Sequence, residues 1–74
     1  MKTLAELAAQ WEIDRWASAM REVVAEIRAD ATDYRARAAS DAAMLVAAEL
    51  SIRAEECDRI ANMIDAVIDR KVSR

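Results

Sequence analysis

The fold is decided by residues 13–27, which read IDRWASAMREVVAEI. Apolar side chains recur in this stretch at intervals of three and four residues, at Ile13, Trp16, Met20, Val23 and Ile27. That spacing places them along one side of an α-helix and is the heptad pattern of coiled coils. The same register continues through Asp30, Tyr34 and Arg37. A row of smaller residues flanks it, at Val24, Ala31 and Ala38.

A second heptad pattern, phased independently of the first, runs through the carboxyl-terminal half of the chain. Its members are Ala43, Val46, Leu50, Arg53, Cys57, Ile60, Ile64, Val67 and Lys71. One continuous helix would bury Asp41, Ser51 and Glu55 in the first register, and burying polar groups without partners is costly. The two patterns therefore predict two long helices in an antiparallel hairpin, whose registers pair as antiparallel coiled coils require.

The ends of these helices are indicated by capping residues. Thr3 and Glu6 have the spacing of a capping box, which predicts that the first helix begins at about Leu4. We place the reversal at residues 38–41, with Ser40 capping the second helix and Asp41 at its positive end. The alternative is a three-helix arrangement with an extra break at residues 30–33, capped by Thr32. In the hairpin register, Asp30 and Arg53 occupy adjacent layers, and we expect their side chains to meet.

Composition supports an all-α chain. The 74 residues include no glycine and no proline, which excludes β-sandwiches, β-barrels, Rossmann units and P-loops, since each needs glycine in its turns. One cysteine and no histidine leave neither an internal disulfide nor a zinc site as a staple. A core this small supplies only about 3–5 kcal/mol. We therefore expect residues 1–74 to form a single small helical domain that dimerises into a four-helix bundle.

Two further sets of apolar residues lie away from both heptad seams. They are Leu4, Leu7 and Trp11 in the first helix and Leu45, Ile52 and Met63 in the second. A single hairpin cannot bury them, so we predict that these six residues bind a partner. Tryptophan beside leucine is typical of binding hot spots. Whether the Trp11 set contacts a second copy or a foreign protein is left open at this point.

Nothing in the sequence indicates catalysis. Cys57 is flanked by Glu55, Glu56 and Asp58, and anionic neighbours disfavour the thiolate that a nucleophile needs. Carboxylates spaced four apart, as at Glu22 and Glu26, are typical of a solvated acidic face. The sequence therefore predicts no catalytic residue, no cofactor and no bound metal. The expected function is that of a non-enzymatic adaptor or inhibitor from a bacterium or phage, in the cytoplasm and without membrane contact. A designed origin remains compatible with the composition.

The alternative function is a small nucleic-acid-binding regulator. Its contact residues would be an arginine and tyrosine cluster at the end of the bundle, made of Arg28, Tyr34, Arg35 and Arg37. Arginine can hold phosphate while an aromatic ring stacks on a base. Asp30 and Asp33 lie in the same stretch, and the net charge of the chain is −3. Nucleic acid is therefore the less favoured partner.

Overall fold

The computed structural model describes residues 1–40 and 43–73 and consists of two helices. Helix α1 spans Leu4–Ser40 and helix α2 spans Met44–Val72. The two helices pack against each other along a hairpin 61 Å long, 15 Å wide and 11 Å thick. The predicted all-α helical hairpin is confirmed.

Helix α1 begins where the capping residues predict. The Glu6 amide donates to Thr3 Oγ1 at 3.1 Å, and the Leu7 amide donates to the Thr3 carbonyl at 3.0 Å. The first bond satisfies one of the amides that the first turn of a helix leaves without a backbone partner, and the second is the first backbone bond of the helix itself. The predicted start at Leu4 is confirmed.

The reversal comes slightly later than predicted, and Ser40 does not cap α2. Ser40 is the last residue of α1, and its hydroxyl donates to the Arg37 carbonyl of the same helix at 3.1 Å. Ala43 occupies the N-cap position of α2 with extended backbone angles, φ −83° and ψ 109°. Its carbonyl accepts the Ala47 amide at 3.0 Å. The role predicted for Asp41 lies outside the described residues.

The three-helix alternative is wrong. Helix α1 continues without interruption through residues 30–33. Thr32 does not cap a new helix there, because its hydroxyl donates to the Arg28 carbonyl at 3.1 Å, one turn earlier in the same helix. Threonine is tolerated inside a helix in this way, and the neighbouring alanines favour the helical state.

Except at Leu50, which was predicted for the seam and is buried, the contact between the helices lies one residue away from the predicted seam. The buried side chains are Ala17, Val24, Ala31, Leu50, Ala54, Ala61 and Ile68. Val23, Asp30 and Arg37, which were predicted for the seam of α1, are exposed, as are Arg53 and Ile60 of α2. At Ala17, Ala54 and Ala61 the shift follows from size, because small side chains let two helix backbones approach closely while large ones keep them apart. We call the buried residues the contact row.

The predicted meeting of Asp30 and Arg53 is not made. Arg53 Nη2 donates instead to Glu49 Oε1 at 3.0 Å, within its own helix. In the described part of the chain, Asp30 has neither a hydrogen bond nor an ion pair. With the contact row rotated by one residue, both side chains lie at its margin, facing solvent.

Candidate interaction surfaces

One margin of the contact row is closed by ion pairs between the helices. Arg28 pairs with Asp65 and also donates to Asn62 Oδ1 at 3.3 Å. One heptad further along α1, Arg35 pairs with Asp58. The hydrogen bond that Arg35 donates to the Asp58 carboxylate raises the pKa of Arg35 above its already basic range, so this guanidinium stays charged. We call this side of the hairpin the Arg–Asp edge.

The opposite margin is apolar and open. Each residue of an α-helix is rotated about the helix axis by about 100° from the residue before it. Around α1, Arg28 therefore lies roughly 40° to one side of Val24, and Val23 lies roughly 100° to the other side. The second side carries Ile13, Trp16, Met20, Val23 and Ile27 of α1 with Ile60, Ile64 and Val67 of α2. Val23 is 38% exposed and Ile60 is 46% exposed. We call this surface the open face.

The open face consists mostly of the residues that the sequence places in the seam of the hairpin. Trp16, Met20, Ile27 and Ile64 pack against the buried cluster from this side and are themselves only partly buried. The heptad pattern therefore marks a real apolar stripe, but the hairpin uses only one flank of that stripe for its own contact. The other flank is left to solvent.

The two ends of the open face are charged. Near the helix termini, Ala9, Glu12, Ile13, Trp16 and Lys71 line a shallow groove of about 280 Å³. Lys71 Nζ lies 5.1 Å from the centre of the Trp16 ring, a cation–π distance. Near the turn, a second groove is lined by Tyr34, Arg37, Val46, Glu49, Leu50 and Arg53. Hydrogen bonds with Glu49 and then with Tyr34 raise the pKa of Arg53.

The six residues predicted to bind a partner are all exposed, but they form two separate surfaces. Leu4, Leu7 and Trp11 form an N-terminal patch on the same side of α1 as the Arg–Asp edge, and the Arg15 guanidinium lies 5.3 Å from the Trp11 ring centre. Leu45, Ile52 and Met63 form an outer stripe, on the side of α2 turned away from α1. One small contact cannot cover both surfaces.

The arginine and tyrosine cluster is not brought together on one surface. Arg28 and Arg35 lie on the Arg–Asp edge, each engaged by a carboxylate of α2. Tyr34 and Arg37 line the groove on the other side of the hairpin. Arg37 Nη1 lies 4.0 Å from Asp33 Oδ2, and its guanidinium lies 5.9 Å from the centre of the Tyr34 ring. No continuous basic surface results.

Cys57 and the carboxylates are the remaining side chains that the sequence analysis weighed for chemistry. Cys57 is a free, half-buried thiol in α2. Across residues 1–40 and 43–73, no group of three or more histidine, cysteine or carboxylate side chains is placed to hold a metal ion. Over the same ranges, neither helix has a stretch that is long and apolar enough to cross a membrane.

The open face is the feature that sequence reasoning missed. Its signal is present as a second row of small residues, spaced seven apart at Ala17, Val24 and Ala31 in α1 and at Ala54 and Ala61 in α2. Such a row predicts a close helix contact of its own. Large apolar residues next to it are then left over for a second contact.

Comparison with known proteins finds no relative of this chain. No protein-family model matches it, and neither a curated protein nor a solved structure shows significant similarity to it. Its function is therefore argued from the surfaces described above.

Proposed function

We propose that this chain is a non-enzymatic helical protein–protein interaction module that acts through apolar helix faces in an oligomer. The observation that carries the proposal is the exposure of large apolar side chains on three separate surfaces of one small hairpin: the open face, the N-terminal patch and the outer stripe. Contiguous exposed apolar patches on a small protein usually mark interaction sites.

The N-terminal patch is the site proposed for a foreign protein. Leu4, Leu7 and Trp11 follow the i, i+3, i+7 spacing by which an amphipathic helix places anchors in an apolar groove. Tryptophan and arginine are the side chains most enriched at binding hot spots, and Arg15 lies over the Trp11 ring. The occupant is therefore a protein with an apolar groove and an acidic group near the Trp11 end.

The type of module is argued from size and chemistry. A short hairpin with separate apolar surfaces suits a small bacterial or phage-encoded adaptor or inhibitor, which works by covering a surface of another protein. We place it in the cytoplasm, where reducing conditions keep a single cysteine such as Cys57 unpaired. Nucleic acid is the less favoured partner because the arginines of the proposed cluster are engaged by carboxylates.

The experiment compares three tagged forms of the full chain in extracts of its native host. Wild type and Met44→Ala, an exposed apolar control near the turn, are expected to retain the same co-purifying protein. Trp11→Ala is expected to lose it, because removing a central aromatic anchor typically costs 2 kcal/mol or more of binding energy, about a thirtyfold loss of affinity. Equal recovery by all three forms would refute the role of the N-terminal patch.

A further inference from the structure

We infer that a second copy of this chain covers the open face, giving a homodimeric four-helix bundle with both turns at the same end. The inference rests on the proposed function, because it names the occupant of one of the apolar faces through which the module acts. It leaves the N-terminal patch and the outer stripe free for other proteins.

The core of a single hairpin is small. Among the described residues, only Val24, Leu50 and Ile68 are both buried and larger than alanine. Two long helices held by three such side chains and a row of alanines have little apolar burial to offset the entropy of ordering the chain. Covering Met20, Val23, Ile27, Ile60 and Ile64 adds the larger share of the available core.

The area of this side of the hairpin suits a second copy of the chain. The side of the hairpin that carries the open face is 61 Å long and 15 Å wide over the whole molecule, on the order of 900 Å². That is close to the roughly 800 Å² per partner of a standard stable interface, with the apolar residues of the open face in its central part. Each helix of a second copy is about as long as the side of the hairpin on which it would pack. A second hairpin matches it in both dimensions.

The two margins of the contact row differ in chemistry. The Arg–Asp edge is already bridged by Arg28 with Asp65 and by Arg35 with Asp58. The open face presents exposed apolar side chains instead of ion pairs between the helices. Each helix thus carries an apolar stripe wider than a two-helix contact needs, as in the helices of four-helix bundles.

Charge selects the arrangement of the two copies. A two-fold axis along the hairpin sets α1 of one copy against α2 of the other, so that Asp30 comes within about one turn of Arg53 of the second copy. Asp30 has no partner in its own hairpin, within the ranges that the structure describes. In the reversed arrangement, the two turns lie at opposite ends and α2 of one copy meets α2 of the other. When the apolar middles of the two faces are placed over each other, Arg53 comes near Lys71 of the second copy. Like charges then oppose each other.

The first experiment measures mass by light scattering on the full chain. Wild type is expected at twice the chain mass of 8.3 kDa. Val23→Glu and Ile60→Glu are expected to give single chains, because both positions are buried only in the dimer. Leu45→Glu, a control on the outer stripe, is expected to stay dimeric. A monomeric wild type, or glutamate variants that remain dimeric, would overturn the inference.

A cross-linking experiment tests the dimer without variants that are expected to dissociate. In a Cys57→Ala background, one preparation carries Val23→Cys and another carries Ile60→Cys. Oxidised glutathione is expected to link the mixture into disulfide-bonded heterodimers at least tenfold faster than Val23→Cys alone. If Val23→Cys links to itself but does not link to Ile60→Cys, the arrangement with both turns at the same end is wrong.

The charge pair gives an independent test. Asp30→Arg is expected to raise the dimer dissociation constant about tenfold or more, and adding Arg53→Asp is expected to restore it. An unchanged dissociation constant in Asp30→Arg would refute the pairing. A monomeric wild type whose co-purifying protein still depends on Trp11 would refute the dimer and leave the interaction function standing.

Discussion

At the scale of single residues, alanine fills buried positions between the two helices that larger apolar side chains fill in most protein cores. Ala54 and Ala61 have no exposed surface, while the bulkier Ile60 beside them is 46% exposed. A methyl group adds little apolar area, but it lets the backbones of α1 and α2 approach, and close approach brings many atoms into dispersion contact. The position of each alanine, more than its hydrophobicity, therefore determines which side of each helix turns inward.

Enlarging one of these alanines is expected to force the helices apart. Ala61→Leu should lower the free energy of unfolding by about 1–3 kcal/mol, the usual cost of overpacking. Ala48→Leu is the matched control, since Ala48 is exposed on the same helix and the change in helix propensity is equal. Urea unfolding followed by circular dichroism measures both. Equal stability of the two variants would show that Ala61 does not lie at a tight contact.

The arginines of the Arg–Asp edge are expected to serve the hairpin itself and not a nucleic acid. Arg28 and Arg35 are held by Asp65 and Asp58, and the chain has a net charge of −3. We expect titration with RNA and with duplex DNA at low salt to show no saturable binding. Binding that appears at low salt, disappears at high salt and is lost in Arg35→Gln would revive the nucleic-acid function.

At the scale of the elements, the sequence predicts two helices, the start of the first and a reversal near residue 40, but not the residue that caps α2 or the rotation of the helices. Thr3 and Glu6 locate the start because capping is a local property of four residues. The rotation is ambiguous because apolar residues occur in adjacent pairs, such as Trp16 with Ala17 and Ile60 with Ala61. In these two pairs hydropathy favours the larger residue for the seam, whereas the close contact between the helices buries the alanine. That choice depends on the distance between backbones, which no local pattern contains.

The same reasoning locates the weak point at the start of α2. Ala43 has the extended backbone of an N-cap, with φ −83° and ψ 109°, but its methyl side chain cannot accept an amide bond. Ala43→Asp is therefore expected to stabilise the protein by about 1 kcal/mol, measured by urea unfolding. Ser40→Ala is expected to change stability little, because the Ser40 hydroxyl bonds only within α1. A loss of about 1 kcal/mol in Ser40→Ala would instead support a capping role for Ser40.

At the scale of the whole molecule, we expect the folding stability of the chain to be coupled to its dimerisation. The three larger buried side chains, Val24, Leu50 and Ile68, belong to a core shared by only two helices. If a second copy completes that core, unfolding also separates the copies, and the melting temperature Tm depends on protein concentration by mass action. Helix α1 then has one side committed to α2 and another to the second copy, while Trp11 stays accessible.

We expect Tm to rise by about 3–6 °C for each tenfold increase in concentration, since the gain of about 1.4 kcal/mol acts on a cooperative unit of two chains. Val23→Glu should melt at a lower temperature that no longer varies with concentration, because its hairpins unfold singly. Leu45→Glu, on the outer stripe, should keep the slope of wild type. A wild-type Tm that is constant over a hundredfold range of concentration would mean that the hairpin is stable alone. The contact row, and not the open face, would then carry its stability.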